Sequence, residues 1–270
     1  MIKRLRNRIY REIRRRYRGE IPFQAATTFQ DPNGANWYEP GLVGPSTFAA
    51  DCCSAETIRQ VADVVERLSP EPYARFTLDF YRAGLKGFGE SWRYADILTV
   101  LHSVSRRFTK PTYLEIGVRR GRSMAVVGAV QPEATMIGFD SWVTNYVGQP
   151  NPGPKAVESE LERIGFRGSL ELVSGNSRQT VPDYFSRHPD VFVDLATIDG
   201  DHSARGAKVD IRNVVPRLKI GGVIVFDDIC NPDHTYLMKV WHREVAGSPR
   251  FASWFFDEVG YGVAFAIKRY

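Results

Sequence analysis

The residues able to do chemistry lie mainly in two short runs. Asp199-Gly200-Asp201-His202 follows the apolar run Leu195–Ile198, and Asp227-Asp228 follows the apolar run Val223–Phe226. If both runs are neighbouring parallel strands, Asp199, Asp227 and Asp228 come to one carboxyl-terminal edge. Carboxylates crowded there repel one another unless protons or a cation compensate. Hard oxygen donors with room for water suit Mg²⁺ or another divalent cation, which takes only a few protein carboxylates. His202 follows Asp199 by three residues, and an imidazole titrates near working pH, so it can accept a proton. Asp201 competes for that role, with His234 behind both. The alternative is structural: the acids cap helices or pair with arginines, and His202 opens a helix.

A second cluster precedes these acids. Tyr113–Asp140 reads YLEIGVRRGRSMAVVGAVQPEATMIGFD. Tyr113–Ile116 predicts a buried strand, Gly117–Gly121 a turn, Ser123–Val130 a helix, and Met136–Phe139 a second strand ending on Asp140. Gly117 and Gly121 let the backbone turn tightly and approach a ligand. Asp140 at a strand end suits a ribose diol, to which it offers two acceptor oxygens. The run Glu115-x-Gly117-x-x-x-Gly121 lacks the middle glycine of the dinucleotide fingerprint G-x-G-x-x-G. A purely structural βα turn could use the same residues.

The elements that must position these groups follow the same alternation. After Asp140, a Pro/Gly-rich loop at 141–155 leads to a helix near Ala156–Ile164 and a third strand, Leu170–Val173. Ser174-Gly175-Asn176-Ser177 follows, then a helix near Val181–Ser186 and the fourth strand, Leu195–Ile198. A helix at Ala204–Leu218 and a turn at Gly221-Gly222 precede the fifth strand, Val223–Phe226. A helix around Tyr236–Glu244 and a hairpin of Phe251–Phe256 with Gly262–Lys268 complete the order. This predicts an α/β, doubly wound, mostly parallel sheet. Before it, helical patterns at Ser54–Leu68, Pro72–Arg82 and Trp92–Arg107, the last capped by Ser91, form an N-terminal helical layer.

Residues 2–18 stand apart. They hold nine of the 36 Lys and Arg and one of the 31 acids, a net of +8, which leaves the remaining chain at −3. The body is therefore not a nucleic-acid surface by charge. Ile2, Leu5, Ile9, Ile13 and Tyr17 fall on one helical stripe, an amphipathic helix suited to an anionic membrane surface or a partner. Residues 19–50 are loop-rich, and Trp37, Tyr38 and Phe48 give them apolar surface for a lid. The expected division is thus 1–18, 19–110 and 111–270.

Hydrophobic and charged contents of 43% and 25% fit a soluble globular chain, and no apolar run approaches the length of a spanning helix. The basic, apolar-poor start does not fit a secretory signal. Cys52, Cys53 and Cys230 make neither a disulfide framework nor a CxxC pattern, so a reducing cytoplasm is expected.

The stretch 111–270 resembles the class I S-adenosylmethionine-dependent methyltransferases. The resemblance rests on the Glu115–Gly121 turn, Asp140, the run IDGDHS and the segment LKIGGVIVFDD, in that order. It implies a seven-stranded sheet with its last strand antiparallel. It also implies Glu115 and Gly117 beside the methionine end of S-adenosylmethionine, Gly121 in the turn, Asp140 on the ribose, and Asn176 and Ser177 near adenine. Within the class, Asp199 followed by Asp227-Asp228 is similar to the metal-dependent O-methyltransferases of small molecules. The Asp-x-x-His of Asp199 and His202 is similar to those acting on sugar hydroxyls of macrolides. The implied acceptor is hydroxylated and sugar-containing, the implied assembly a homo-oligomer. Trp142 is a candidate wall or stacking partner for the adenine.

Two other classes remain in view: a cephalosporin hydroxylase-like protein on the same scaffold, and a non-catalytic membrane-surface protein. A nucleic-acid methyltransferase is disfavoured, because IDGD stands where base-amino enzymes commonly carry (Asp/Asn)-Pro-Pro-aromatic.

Overall fold

Apolar runs separated by amphipathic helices fold here as strands between helices. The computed structural model describes residues 29–30, 32, 36–38, 43–145 and 148–270. The basic segment 2–18 and most of the loop-rich stretch after it lie outside these residues. A short antiparallel pair, β1 (Phe29–Gln30) and β2 (Asn36–Tyr38), precedes four helices. These are α1 (Pro45–Cys52), α2 (Ala55–Arg67), α3 (Pro72–Phe88) and α4 (Ile97–Ser105). The alternating part begins with β3 (Thr112–Ile116), α5 (Arg122–Val130), β4 (Thr135–Asp140), α6 (Pro154–Arg163) and β5 (Ser169–Ser174). It continues through α7 (Ser177–Arg187), β6 (Val193–Ile198), α8 (Ala204–Val214) and β7 (Leu218–Asp227). The short α9 (Leu237–Trp241) and the strands β8 (Phe251–Phe256) and β9 (Val263–Lys268) finish the order.

The seven strands lie in the order β5-β4-β3-β6-β7-β9-β8. Strands β3 to β7 run parallel, and β9 is antiparallel to both its neighbours. The chain therefore winds outward from β3 in one direction, then returns to β6 and winds outward in the other. Such a reversal opens a crevice at the carboxyl ends of the two central strands. Register makes this concrete: Ile116 pairs with Ile198, and Ile198 with Phe226. Gly117, Asp199 and Asp227 therefore leave the sheet at one level.

Alternation along the strands divides the core. Tyr113 joins Phe48, Ile58, Tyr81, Leu101 and Met124 on one face, whereas Leu114 joins Val181, Ile211 and Trp241 on the other. Among the described residues, no helix is long and apolar enough to cross a membrane.

Four boundaries differ from expectation. Residues 45–50 are not lid but part of α1, with Phe48 fully buried edge-on to Phe265 at 6.2 Å. Helix α3 continues past Arg82 through the glycines to Phe88 and ends at Gly89, whose φ of +56° suits glycine. Ser91 does not cap the next helix. Trp92 lies flat on Gly84, where a Cβ would approach its ring to 2.1 Å, and the chain runs extended to Asp96. Asp96 caps α4 instead: its carboxylate accepts from Leu98 N and Thr99 N at 3.0 Å, and Thr99 Oγ1 accepts in return from Asp96 N at 3.0 Å. Finally, β7 starts at Leu218, so Gly221-Gly222 falls within the strand, with φ of +78° at Gly221 absorbing the irregularity.

Asp96 also accepts from Tyr81 Oη at 2.5 Å, which ties α3 to α4. Asp96→Ala is expected to cost about 2–4 kcal/mol, because it removes a cap and orphans a buried hydroxyl. Urea unfolding measures this, and a change within experimental scatter would refute it.

Candidate active site

The glycine turn forms because no side chain fits there. Gly117 has φ +94°, and a Cβ on it would lie 2.0 Å from the carbonyl oxygen of Asp199. The exits of β3 and β6 are thus in backbone contact, with Asp199 N donating to Ile116 O at 2.8 Å. Gly121 has φ +74° and caps α5, where a Cβ would press on Val157. Asp140 closes the other side of the turn. One carboxylate oxygen accepts from Arg119 N and the other from Trp142 N, both at 2.6 Å. Each oxygen keeps a second acceptor direction for a ligand. Arg119, Trp142 and Asp228 have φ of +51°, +52° and +60°, so left-handed strain gathers at the exits of β3, β4 and β7.

Glu115, expected beside the ligand, sits wholly inside the fold. Its carboxylate accepts from Ser123 Oγ and from Tyr113 Oη, and the Tyr113 hydroxyl also meets Thr197 Oγ1 at 2.9 Å. It is a clamp beneath the turn, joining β3, α5 and β6. Asn176 caps α7, its side chain accepting from Arg178 N at 3.0 Å, and Ser177 opens that helix. Trp142 donates its indole N–H to Ser174 Oγ at 2.9 Å, which holds the ring over the β5 exit.

Asp199, Asp227 and Asp228 lie at the same edge of the sheet. His202 lies between two of them, with Nε2 at 3.1 Å from Asp199 and Nδ1 at 3.4 Å from Asp228. His234 stands edge-on to the same ring at 5.3 Å and pairs with Tyr236 Oη. Burial pushes the carboxyls of Asp227 and Asp228 up in pKa, and the charge of Asp199 pushes both further, with Asp228 adding to the rise of Asp227. His202 is the counter-case. Burial alone would lower its pKa, but the hydrogen bond and charge of Asp199, with Asp228 and Asp201 behind, raise it.

Asp201 parts company with this group. Its carboxylate is paired with Arg178 and accepts from Ser203 N at 2.9 Å. Burial would raise its pKa, yet Ser203 and Arg178 outweigh that and hold it below the usual range. A carboxylate so stabilised is a poor proton acceptor. Among the described residues, no three His, Cys, Asp or Glu side chains converge as a ready metal cage. The carboxylates are hard oxygen donors, and burial followed by the charge of Asp199 raises the proton affinity of Asp227 and Asp228.

Three residues beside the site, Arg122, Tyr73 and Asp210, were not singled out from the sequence. Arg122, the first residue of α5, lays its guanidinium 4.2 Å over the Tyr73 ring and 3.8 Å from Glu71. The third, Asp210 on α8, is fully buried beneath Gly200, with Oδ2 3.5 Å from where a Cβ there would stand. Only the Glu71-Pro72 helix start could have placed Tyr73, and nothing local names its partner.

Burial pushes the Glu115 carboxyl up to about 8, although its two hydroxyl partners pull it down. The folded state therefore keeps a proton that the unfolded chain releases in the ordinary carboxylate range, so stability falls as pH rises between the two values. Glu115→Gln removes this dependence. Denaturant unfolding from mildly acidic pH to about pH 8 should show the wild type losing stability relative to the variant; parallel curves would contradict it.

Residues 114–229 match the family described as a methyltransferase domain. No curated protein matches the chain. Among solved structures, the O-methyltransferase TomG from Streptomyces achromogenes is 17% identical, with 80% of this chain and 90% of that one covered and a TM-score of 0.52. The calicheamicin methyltransferase CalS11 is 18% identical, with coverage of 90% and 98% and a TM-score of 0.49. Likeness at these identities speaks of fold alone. The match over residues 114–229, less than half of the chain, and the strand order make this stretch similar to a methyltransferase domain, with the seven-stranded sheet that the resemblance implied.

Proposed function

We propose that this protein is a divalent-cation-dependent O-methyltransferase that methylates a hydroxyl of a small, sugar-containing acceptor. The observation that carries the reading is His202 held between Asp199 and Asp228 beside the glycine turn. TomG is by its name an O-methyltransferase, and its likeness to this chain is consistent with oxygen as the acceptor atom.

S-Adenosylmethionine would supply a methyl group on a sulfonium sulfur, and Mg²⁺ would supply the charge that makes an acceptor hydroxyl more acidic. Asp199, Asp227 and Asp228 would hold the cation, as hard donors lacking a matching positive partner beyond the two histidines. Gly117 lets the exits of β3 and β6 meet beside the crevice, and the free acceptor directions of Asp140 suit the ribose hydroxyls. Gly121, Asn176 and Ser177 border the nucleoside end of the crevice, where Trp142 forms a wall. Glu115 supports this turn from below.

An alcohol is a weak nucleophile until its proton leaves. His202 takes that proton, and its two acid neighbours fix the ring and stabilise the charge it gains. Asp201, tied to Arg178, serves instead to hold the loop that carries Asp199 and His202.

Calorimetric titration of S-adenosylmethionine and of Mg²⁺ into wild type, Asp228→Ala and His202→Gln tests this. Cofactor binding is expected in all, with Mg²⁺ binding lost in Asp228→Ala. In a panel of glycosides, His202→Gln should lower kcat by about 10²–10⁴ with cofactor affinity unchanged. Absent cofactor binding would overturn the reading as a whole. Methyl transfer that is indifferent to chelators would remove the cation.

A further inference from the structure

An aromatic strip leads away from the acids across the N-terminal helical layer. Tyr73, Phe76 and Phe80 lie on one face of α3, with successive ring centroids 6.2 and 6.3 Å apart. Phe80 meets Tyr94 at 4.9 Å and Trp92 at 5.8 Å, and Trp92 and Tyr94 stack at 5.4 Å within 8° of parallel. The strip opens into a groove of about 540 Å³ whose apolar wall is Phe80, Phe88, Trp92 and Val259, with Ser91 and Arg93 also lining it. Phe76 and Phe88 are 62% and 65% exposed, which puts two large apolar rings on this surface.

The strip is linked to the acid site. The loop after β7 is bonded to the loop between β8 and β9, with Cys230 N donating to Tyr261 O at 2.6 Å. That second loop reaches back to Tyr94, whose hydroxyl would lie 3.7 Å from a Cβ on Gly260. Arg122, over the Tyr73 ring, connects the other end of the strip to the glycine turn. These contacts link the loops beside Asp227 and Asp228 to an open, mostly apolar groove.

We infer that the groove is the subsite for the apolar body of the acceptor, so that the acceptor is amphipathic, with its reacting hydroxyl at the acids. This rests on the methyltransferase reading and extends it to a substrate class. Stacked planar rings bind flat aromatic or alicyclic groups by area and orientation. Gly84 is part of the device, since any side chain there would displace Trp92 from the wall.

The test uses two probes, 2-naphthyl β-D-glucopyranoside and methyl β-D-glucopyranoside, titrated into the full chain saturated with S-adenosylhomocysteine. The naphthyl glycoside should bind at least about tenfold more tightly, the worth of burying one ring system. Phe88→Ala, at an exposed position that the fold does not need, should remove most of that advantage and leave the methyl glycoside unaffected. Trp92→Leu should do the same. Equal affinity for both probes, or an advantage untouched by both variants, overturns the inference. So does a concentration-dependent dimer that Phe88→Ala dissolves, because a second copy would then be the occupant. If neither glycoside binds, the inference falls too. Saturation by S-adenosylhomocysteine in the same titration then reports separately whether the methyltransferase reading stands.

Discussion

The contact between the exits of β3 and β6 is the constraint on which the site depends. A backbone carbonyl of Asp199 occupies the place where any side chain at residue 117 would be, so the two strand exits share one volume. That closeness has two consequences. It leaves an open turn beside β3, and it holds the first acid of the Asp199–His202 loop against that turn. The glycine turn and the acid loop are therefore one construction. The glycine is needed twice over, for its positive φ and for the missing side chain.

Support for this contact comes from below and from the side. Glu115 draws Ser123 and Tyr113 together under the turn, and Asp140 binds the backbone N–H groups of two neighbouring exits. Polar groups in such networks fix direction more than they add stability, because each bond replaces one to water. The residues held in left-handed conformations show what this fixing opposes. Arg119, Trp142 and Asp228 each carry strain of order 1 kcal/mol or more that the surrounding bonds must outweigh.

Much of this was legible in the chain before folding. Short apolar runs ending in glycine or acid located the parallel strands, and their order implied which acids would meet. What stayed hidden depended on contacts distant in sequence. Ser91 looked like a helix cap, but Trp92 packing on Gly84 carried the chain past it to Asp96. Glu115 looked like a ligand contact, but strand alternation turned it inward to Tyr113 and Ser123. Asp201 competed with the favoured His202 until Arg178, from the start of α7, occupied it. Local composition sets an element's kind, whereas the neighbour it meets sets each side chain's task.

The position of β9 has a consequence for how the protein comes into being. It lies between β7 and β8 yet follows both in the chain, so the acid-bearing edge of β7 stays open until β9 inserts. Pairings between segments distant in sequence form slowly and leave an unpaired edge exposed meanwhile. Asp227 pairs with Val263 in that last ladder. The surroundings of the acid pair are therefore complete only in a chain whose last strand is paired, so the far end of the sequence is part of the site.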